Sequence, residues 1–301
     1  MFEPQEGMTV QELLDWTRYA EDAGFGYVFR SDHILPTSGR GGLACPECWV
    51  SLAAMASATK RVRFGPLVSP IGFRNPALLA RMACTVHSLS GGRLQMAVGA
   101  GWYKDEYDAH GMEFPGASVR QAQLREALQI IAPLIRGFEV NFSGEHFNAH
   151  TAVIPKPAEP MHLIVGGKSR RSVSSAAEFA DEWNVFSPSM QEFARLKAVL
   201  DSTGRRVEVS QMAPFLIAEN REQLEECAKR LMRQSGSGGS VETFLKSLRE
   251  ETGVIAGVVG DFIAQVNERL DAGIEKFYFQ VRDTNDRGPV DLLCRTLRTE
   301  F

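Results

Sequence analysis

Two hydrophobic periods alternate along almost the whole chain. Short, nearly continuous apolar runs recur at Tyr27–Phe29, Val62–Ser69, Leu94–Gly99, His162–Gly166, Glu182–Phe186, Val207–Ala218 and Phe277–Val281, and they read as buried strands. Between them apolar residues fall at helical spacing. Thr9-Val10-Gln11-Glu12 is a capping box ahead of Leu13, Thr17, Ala20 and Ala23, and Gly24 closes that helix. Asn75 caps and Pro76 opens another, with Leu79, Met82, Ala83 and Val86 on one face and "SGGR" at Ser90–Arg93 as its stop. Further helices are expected at Trp49–Thr59, Val119–Arg136, Arg171–Ala180 and Gln191–Leu200. Asn220 caps one carrying Leu224, Cys227, Ala228 and Leu231, Gly260/Asp261 opens one ending near Gly273, and Val290–Leu297 closes the chain.

Seven strands, each followed by a helix, require parallel pairing with right-handed crossovers. Eight such units close a barrel, so the predicted fold class is α/β, a (β/α)8 TIM barrel. The missing unit belongs at the front, where Met1-Phe2 are read as the last two residues of a truncated first strand; the barrel is then expected to be open or frayed there. No linker or composition shift divides the chain, which reads as one domain, 1–301, with inserts at about 137–160 and 235–259. The first insert holds an aromatic hairpin-like piece (Phe142, Gly144, Phe147). The second follows the flexible "SGSGGS" at Ser235–Ser240 and is read as a mobile lid.

Composition narrows the function classes. Net charge is −4 with no basic stripe, so neither nucleic acid nor an anionic membrane is an expected partner. The apolar runs are too short to span a bilayer, and no signal peptide is read. Five scattered cysteines suit free thiols in a reducing cytoplasm. Cys45-Pro46-Glu47-Cys48 has no matching second pair, so it is either two ordinary thiols or an isolated redox or metal pair.

In a parallel barrel, chemistry sits where strands meet the loops that follow them. "YVFRSDHILPTSG" (27–39) places Asp32 and His33 at such an end. His33 titrates near neutrality and suits acid–base work, with Asp32 fixing its tautomer; otherwise Asp32 caps a loop and His33 is a structural donor. Gly99-Ala100-Gly101-Trp102 allows backbone to approach a ligand, and Trp102 and Tyr103 are either walls for a planar ring or core aromatics. Gly166-Gly167-Lys168-Ser169-Arg170-Arg171 opens a helix after a strand, either as an anion site for a cofactor phosphate or as a glycine turn beside surface charge. Gly65–Pro70 forms an apolar shelf. No HxH, HExxH or paired ligand cluster is present, so no metal is expected, and no GxSxG elbow occurs.

"SDH" (31–33), "FGPLVSPIGFRNPALLARM" (64–82), "LSGGRLQMAVGAGWYKDEYDAHGMEF" (89–114) and "LIVGGKSRRSVSSAAEFADEWN" (163–184) resemble the bacterial-luciferase-like family, and the branch is similar to deazaflavin (coenzyme F420) oxidoreductases. The resemblance implies a luciferase-like barrel with a flavin or deazaflavin at the strand C-termini. Its ring would rest on Leu67, Val68 and Ser69, often beside a non-proline cis peptide, and near Gly99, Gly101 and Trp102. Gly166, Gly167, Lys168, Ser169 and Arg170 would hold its phosphate. His33 would serve as proton donor or acceptor, supported by Asp32.

Three positions depart from relatives. Ala100 replaces an arginine that FMN users carry toward the phosphate. Trp102 replaces a glutamate, and Thr37 a tryptophan, of the sugar-phosphate dehydrogenases. The expected activity is hydride transfer between coenzyme F420 and a small organic substrate. An FMN-dependent monooxygenase using reduced flavin and O2, or a non-catalytic flavin-binding protein, are the alternatives. A homodimer and a flavin/F420 reductase are the expected partners. Substrate choice is assigned to the loops Leu35–Cys48 and Ser235–Val259.

Overall fold

The computed structural model describes residues 1–39 and 41–300; Arg40, in the loop assigned to substrate choice, lies outside the described residues. The chain forms two compact units. The first holds Met1–Asn184 and Val199–Glu208; the second holds Val185–Ala198 and the chain from Val209 onward.

The first unit alternates helix and strand as its hydrophobic periods dictate: α1 (Val10–Asp22), β1 (Tyr27–Arg30), α2 (Cys48–Ala58), β2 (Arg63–Pro66), β3 (Ser69–Pro70), α3 (Pro76–Leu89), β4 (Met96–Gly99), α4 (Lys104–Ala109), α5 (Ala117–Ile135), β5 (Val140–Ser143), β6 (Asn148–Thr151), β7 (Leu163–Gly166), α6 (Arg170–Phe179) and the start of β8 (Glu182–Phe186). The α1 capping box forms as expected, the Thr9 amide donating to Glu12 Oε2 at 2.8 Å. Asn75 Oδ1 accepts the Ala77 and Leu78 amides, and Pro76 occupies the first turn of α3, where its missing N–H costs nothing. The inner faces of α3 and α5 pack together through side chains such as Leu79, Ala83, Leu124, Leu128 and Ile131, all without exposed surface.

Parallel pairing runs β1–β2, β3–β4, β4–β7 and β7–β8, in register Ile164↔Glu182 for the last. At the front, the Phe2 amide donates to Phe29 O and the Ser31 amide to Phe2 O, so Phe2 pairs alongside β1. The single strand expected at Val62–Ser69 is broken: β2 stops at Pro66, the Leu67–Val68 peptide is cis, and β3 resumes at Ser69. The insert after α5 is the antiparallel hairpin β5–β6, its turn held by Glu126, whose carboxylate accepts the amides of Glu145, His146 and Phe147.

The remaining elements are α7 (Met190–Asp201), β9 (Glu208–Ala218), α8 (Arg221–Ser235), α9 (Val241–Glu250), β10 (Ile255–Val258), α10 (Val259–Asp271), β11 (Lys276–Gln280) and α11 (Gly288–Glu300). In the second unit, β9 is long enough to pair twice. Ser210–Pro214 lie along β11, and Phe215–Ala218 along β10. The segment read as a lid is therefore regular structure: Leu245 of α9 joins Ala218, Leu224 and Ala228 in one apolar cluster. Among the described residues, no helix is long and apolar enough to cross a membrane.

Candidate active site

The end of β1 plunges into the first unit before it surfaces. Arg30, Ser31 and Asp32 are buried, and His33 is the first residue to regain exposure, its side chain 15% exposed. A carboxylate holds the imidazole, but it belongs to Glu106 of α4: His33 Nδ1 lies 3.0 and 3.2 Å from the two Glu106 oxygens. Glu106 is itself buried and also accepts the Ile34 amide at 3.2 Å. A carboxylate only accepts, so Nδ1 carries the proton and Nε2 is the working nitrogen of the neutral ring. Burial pulls the imidazole pKa down, but the hydrogen bond and charge of Glu106, with smaller help from Glu3 and Asp32, outweigh it and raise His33 above its ordinary value. The rings of Trp102 and Tyr103 meet His33 edge-on, with centroids 5.7 and 6.1 Å away.

Asp32, expected to orient His33, is occupied elsewhere. Its carboxylate takes a bidentate pair from Arg74 (2.7 and 3.1 Å) and the Ser69 hydroxyl at 2.5 Å. Adjacent residues at a strand end diverge, so Asp32 turns inward while His33 turns toward α4. Arg74 also pairs with Glu47, and Trp49 Nε1 donates to Ser69 Oγ at 3.1 Å. Ser69 is thus a buried link between the ends of β1 and β3, with its hydroxyl already engaged.

The glycines after the neighbouring strands have a shared reason. A Cβ on Gly99 would lie 2.7 Å from Val68 Cγ2, and one on Gly166 would lie 2.7 Å from Val68 Cγ1. Both glycines make room for Val68, which stays half-buried beyond the buried Leu67. Val68 is therefore the apolar surface presented there. Gly101 has a left-handed φ of 76° and would place a Cβ 2.4 Å from the Tyr107 hydroxyl, so glycine is needed on both counts. Tyr107 is buried, its hydroxyl has no partner among the described residues, and with Arg74, Asn75, Ala100 and Arg120 it lines a cavity of about 340 Å³.

At the start of α6 most of the expected anion donors are spoken for. The Gly167 amide donates to Asn184 O, Gly167 O accepts Trp183 Nε1, and a Cβ there would lie 2.5 Å from Ser172 Oγ. Ser169 and Ser172 cap each other, Ser169 Oγ accepting the Ser172 amide and Ser172 Oγ the Ser169 amide. The amides of Arg170 and Arg171 open the first turn of α6, where helix geometry gives them no intrahelical partner, beside the exposed Lys168. The thiols offer no reactive pair: burial pushes Cys45 up and the fully buried Cys48 well up.

Changing Glu106 to Gln keeps an acceptor beside Nδ1 and removes the charge that holds His33 up. The His33 titration, followed by its ring proton resonances, is expected to move to lower pH in Glu106→Gln. Because the folded-state value is raised, the stability His33 contributes is full below its ordinary pKa and fades as pH rises through the raised one. An unmoved titration would mean that Glu106 is not the controlling charge.

The family model described as luciferase-like monooxygenase matches residues 2–273. The F420-dependent glucose-6-phosphate dehydrogenase of Amycolatopsis mediterranei (strain U-32) is 35% identical over 161 residues, 52% of this chain and 48% of that protein. The chain thus spans about half the length of the curated relatives it matches. Among solved structures, an F420-dependent secondary alcohol dehydrogenase in complex with an F420-acetone adduct superposes with a TM-score of 0.80 at 20% identity, over 98% of this chain and 96% of that one. The oxygenating constituent of 3,6-diketocamphane monooxygenase from Pseudomonas putida, in complex with FMN, gives 0.72 at 16% identity, over 97% and 93%. These likenesses carry the fold, which is of the luciferase-like TIM-barrel class. With the family model running through nearly every element named above, the chain belongs to the luciferase-like monooxygenase family.

Proposed function

We propose that this chain is an oxidoreductase that moves a hydride between coenzyme F420 and a small organic substrate. The observation that carries this reading is the His33–Glu106 pair at one strand end, next to the segment that presents Val68. The two are tied together by the Leu67 amide on Arg30 O (2.7 Å) and the Ser69 hydroxyl on Asp32. The residues present fit such a cofactor. Val68, seated on Gly99 and Gly166, offers an apolar face to a planar ring, and the Arg170 and Arg171 amides offer orphan donors to a phosphate. When bound, the deazaflavin supplies the hydride chemistry. His33 gives or takes the accompanying proton at Nε2, while Glu106 holds the ring in place. Trp102 and Tyr103 shield it from water on one side. Asp32 and Ser69 position the strand ends and stay out of the proton transfer.

Ala100, in place of an arginine, favours deazaflavin over FMN in this reading. Trp102 beside His33 puts an apolar ring where the sugar-phosphate dehydrogenases carry a glutamate, so a small uncharged alcohol or carbonyl compound is proposed over a sugar phosphate. Exposed Val50, Leu78 and Leu89 on α2 and α3 support a homodimer, and a separate reductase would supply reduced cofactor. The five free thiols suit a reducing cytoplasm. Anaerobic mixing of the chain with reduced F420 and a panel of ketones, aldehydes and enones tests the activity. Return of the oxidised-cofactor absorbance with at least one carbonyl compound is expected. Turnover only with reduced FMN and oxygen would replace the reading with the monooxygenase one.

A further inference from the structure

The strand ends opposite the candidate active site carry a second cluster. His162 immediately precedes β7, Glu182 opens β8 and Glu208 opens β9. We propose that these three side chains bind a structural transition-metal dication, zinc, with water as the fourth ligand. His162 Nε2 lies 3.0 Å from Glu182 Oε2 and 3.8 Å from Glu208 Oε2, and one ligand atom from each residue falls within 4.8 Å of the others. Zinc bound at about 2.0–2.1 Å in a tetrahedron sets its ligand atoms about 3.3–3.4 Å apart, which the two measured distances bracket.

The backbone fixes this spacing. The His162 carbonyl accepts the Met96 amide, Asp181 exchanges backbone and side-chain hydrogen bonds with Leu163, and the Glu208 amide donates to Asp181 O. Three neighbouring strand starts are therefore locked in register before any ligand arrives. Glu182 has no exposed surface, so its carboxylate is held in a fixed place by the packing around it. A dication meets two carboxylates and uses the neutral imidazole as a donor. One nitrogen with two carboxylates suits zinc better than magnesium or calcium, which take six or more oxygens. Side-chain exposures of 29% at His162 and 33% at Glu208 leave an entry path and room for the water. The site lies at the N-terminal ends of the strands, within the first unit and away from His33, so its role is to pin the starts of β7, β8 and β9.

Zinc titrated into the chelator-treated full chain tests this, with bound metal read by equilibrium dialysis and the melting temperature followed in parallel. One equivalent is expected to bind and raise the melting temperature. Cobalt at the same site should give the intense visible bands of four-coordination. His162→Ala and Glu208→Gln should each lose the bound equivalent and the thermal shift. Cys45→Ser should keep both, which separates this site from the thiols. Circular dichroism of the metal-free variants confirms that they fold. No stoichiometric binding, or binding that survives His162→Ala, overturns the proposal.

Discussion

Replacing His33 with alanine is expected to leave cofactor affinity unchanged and to lower turnover by about 10²–10⁴-fold, the usual contribution of a positioned proton-transfer group. Its place explains the split. The imidazole makes its described hydrogen bond to Glu106 through Nδ1, and Val68 and the start of α6 are built from other residues. Paired binding and steady-state measurements on the variant check it. Turnover within severalfold of the parent, with the fold intact, would make His33 a structural residue tied to Glu106 and nothing more.

Asp32→Asn is expected to act on stability, by about 3 kcal/mol, the low end for a broken buried pair, because the mostly buried Arg74 guanidinium loses its bidentate partner and keeps only the more exposed Glu47. Burial pulls the Arg74 pKa down and Asp32, with Glu47, raises it; a guanidinium stays protonated in proteins, so Arg74 remains charged when Asp32 is neutralised. The amide keeps one acceptor oxygen where the carboxylate had two, so the Ser69 hydroxyl and the Arg74 fork compete for it, which loosens the joint between the end of β1 and the start of β3. Urea unfolding of the variant gives the number. A loss below about 1 kcal/mol, the scale of an exposed pair, would contradict the buried-joint account.

These two neighbours show what the sequence makes legible. A strand end is readable from period and turn residues, and that pattern puts both Asp32 and His33 at a strand tip. Their division of labour was not readable, because it depends on partners far along the chain. Glu106 stands in a short acidic helix with Asp105 and Asp108, and only packing buries the middle one. A glutamate in the first turn after a strand end is the one signal that points to it. The glycine at 99 reads as a close approach to a ligand and that at 166 as part of an anion site; what a Cβ at either would meet is Val68, brought in by the break in the strand after Pro66. The α6 capping box was hidden in "SRRS", where serine at the third helical position replaces the more familiar acid or amide.

The fold shows the same divide. Elements with strong periodicity, such as α1, α3 and β9, sit where the pattern puts them. Ile255–Val258, four residues with a glycine among them, becomes a strand only because β9 runs long enough to pair with it. The division into two units leaves no mark in composition, since the chain passes between them within β8, within α7 and at the first residue of β9. The His162, Glu182 and Glu208 cluster has no local spacing motif, because each residue comes from a different strand start.

Cofactor choice is the most direct test of the functional account. Equilibrium dialysis of the purified chain against an equimolar mixture of F420 and FMN, with both followed by fluorescence, measures it. The account predicts that F420 is retained over FMN, and that trimming F420 to its phosphate-free chromophore weakens its retention. Retention of FMN over F420, or of neither, would contradict it.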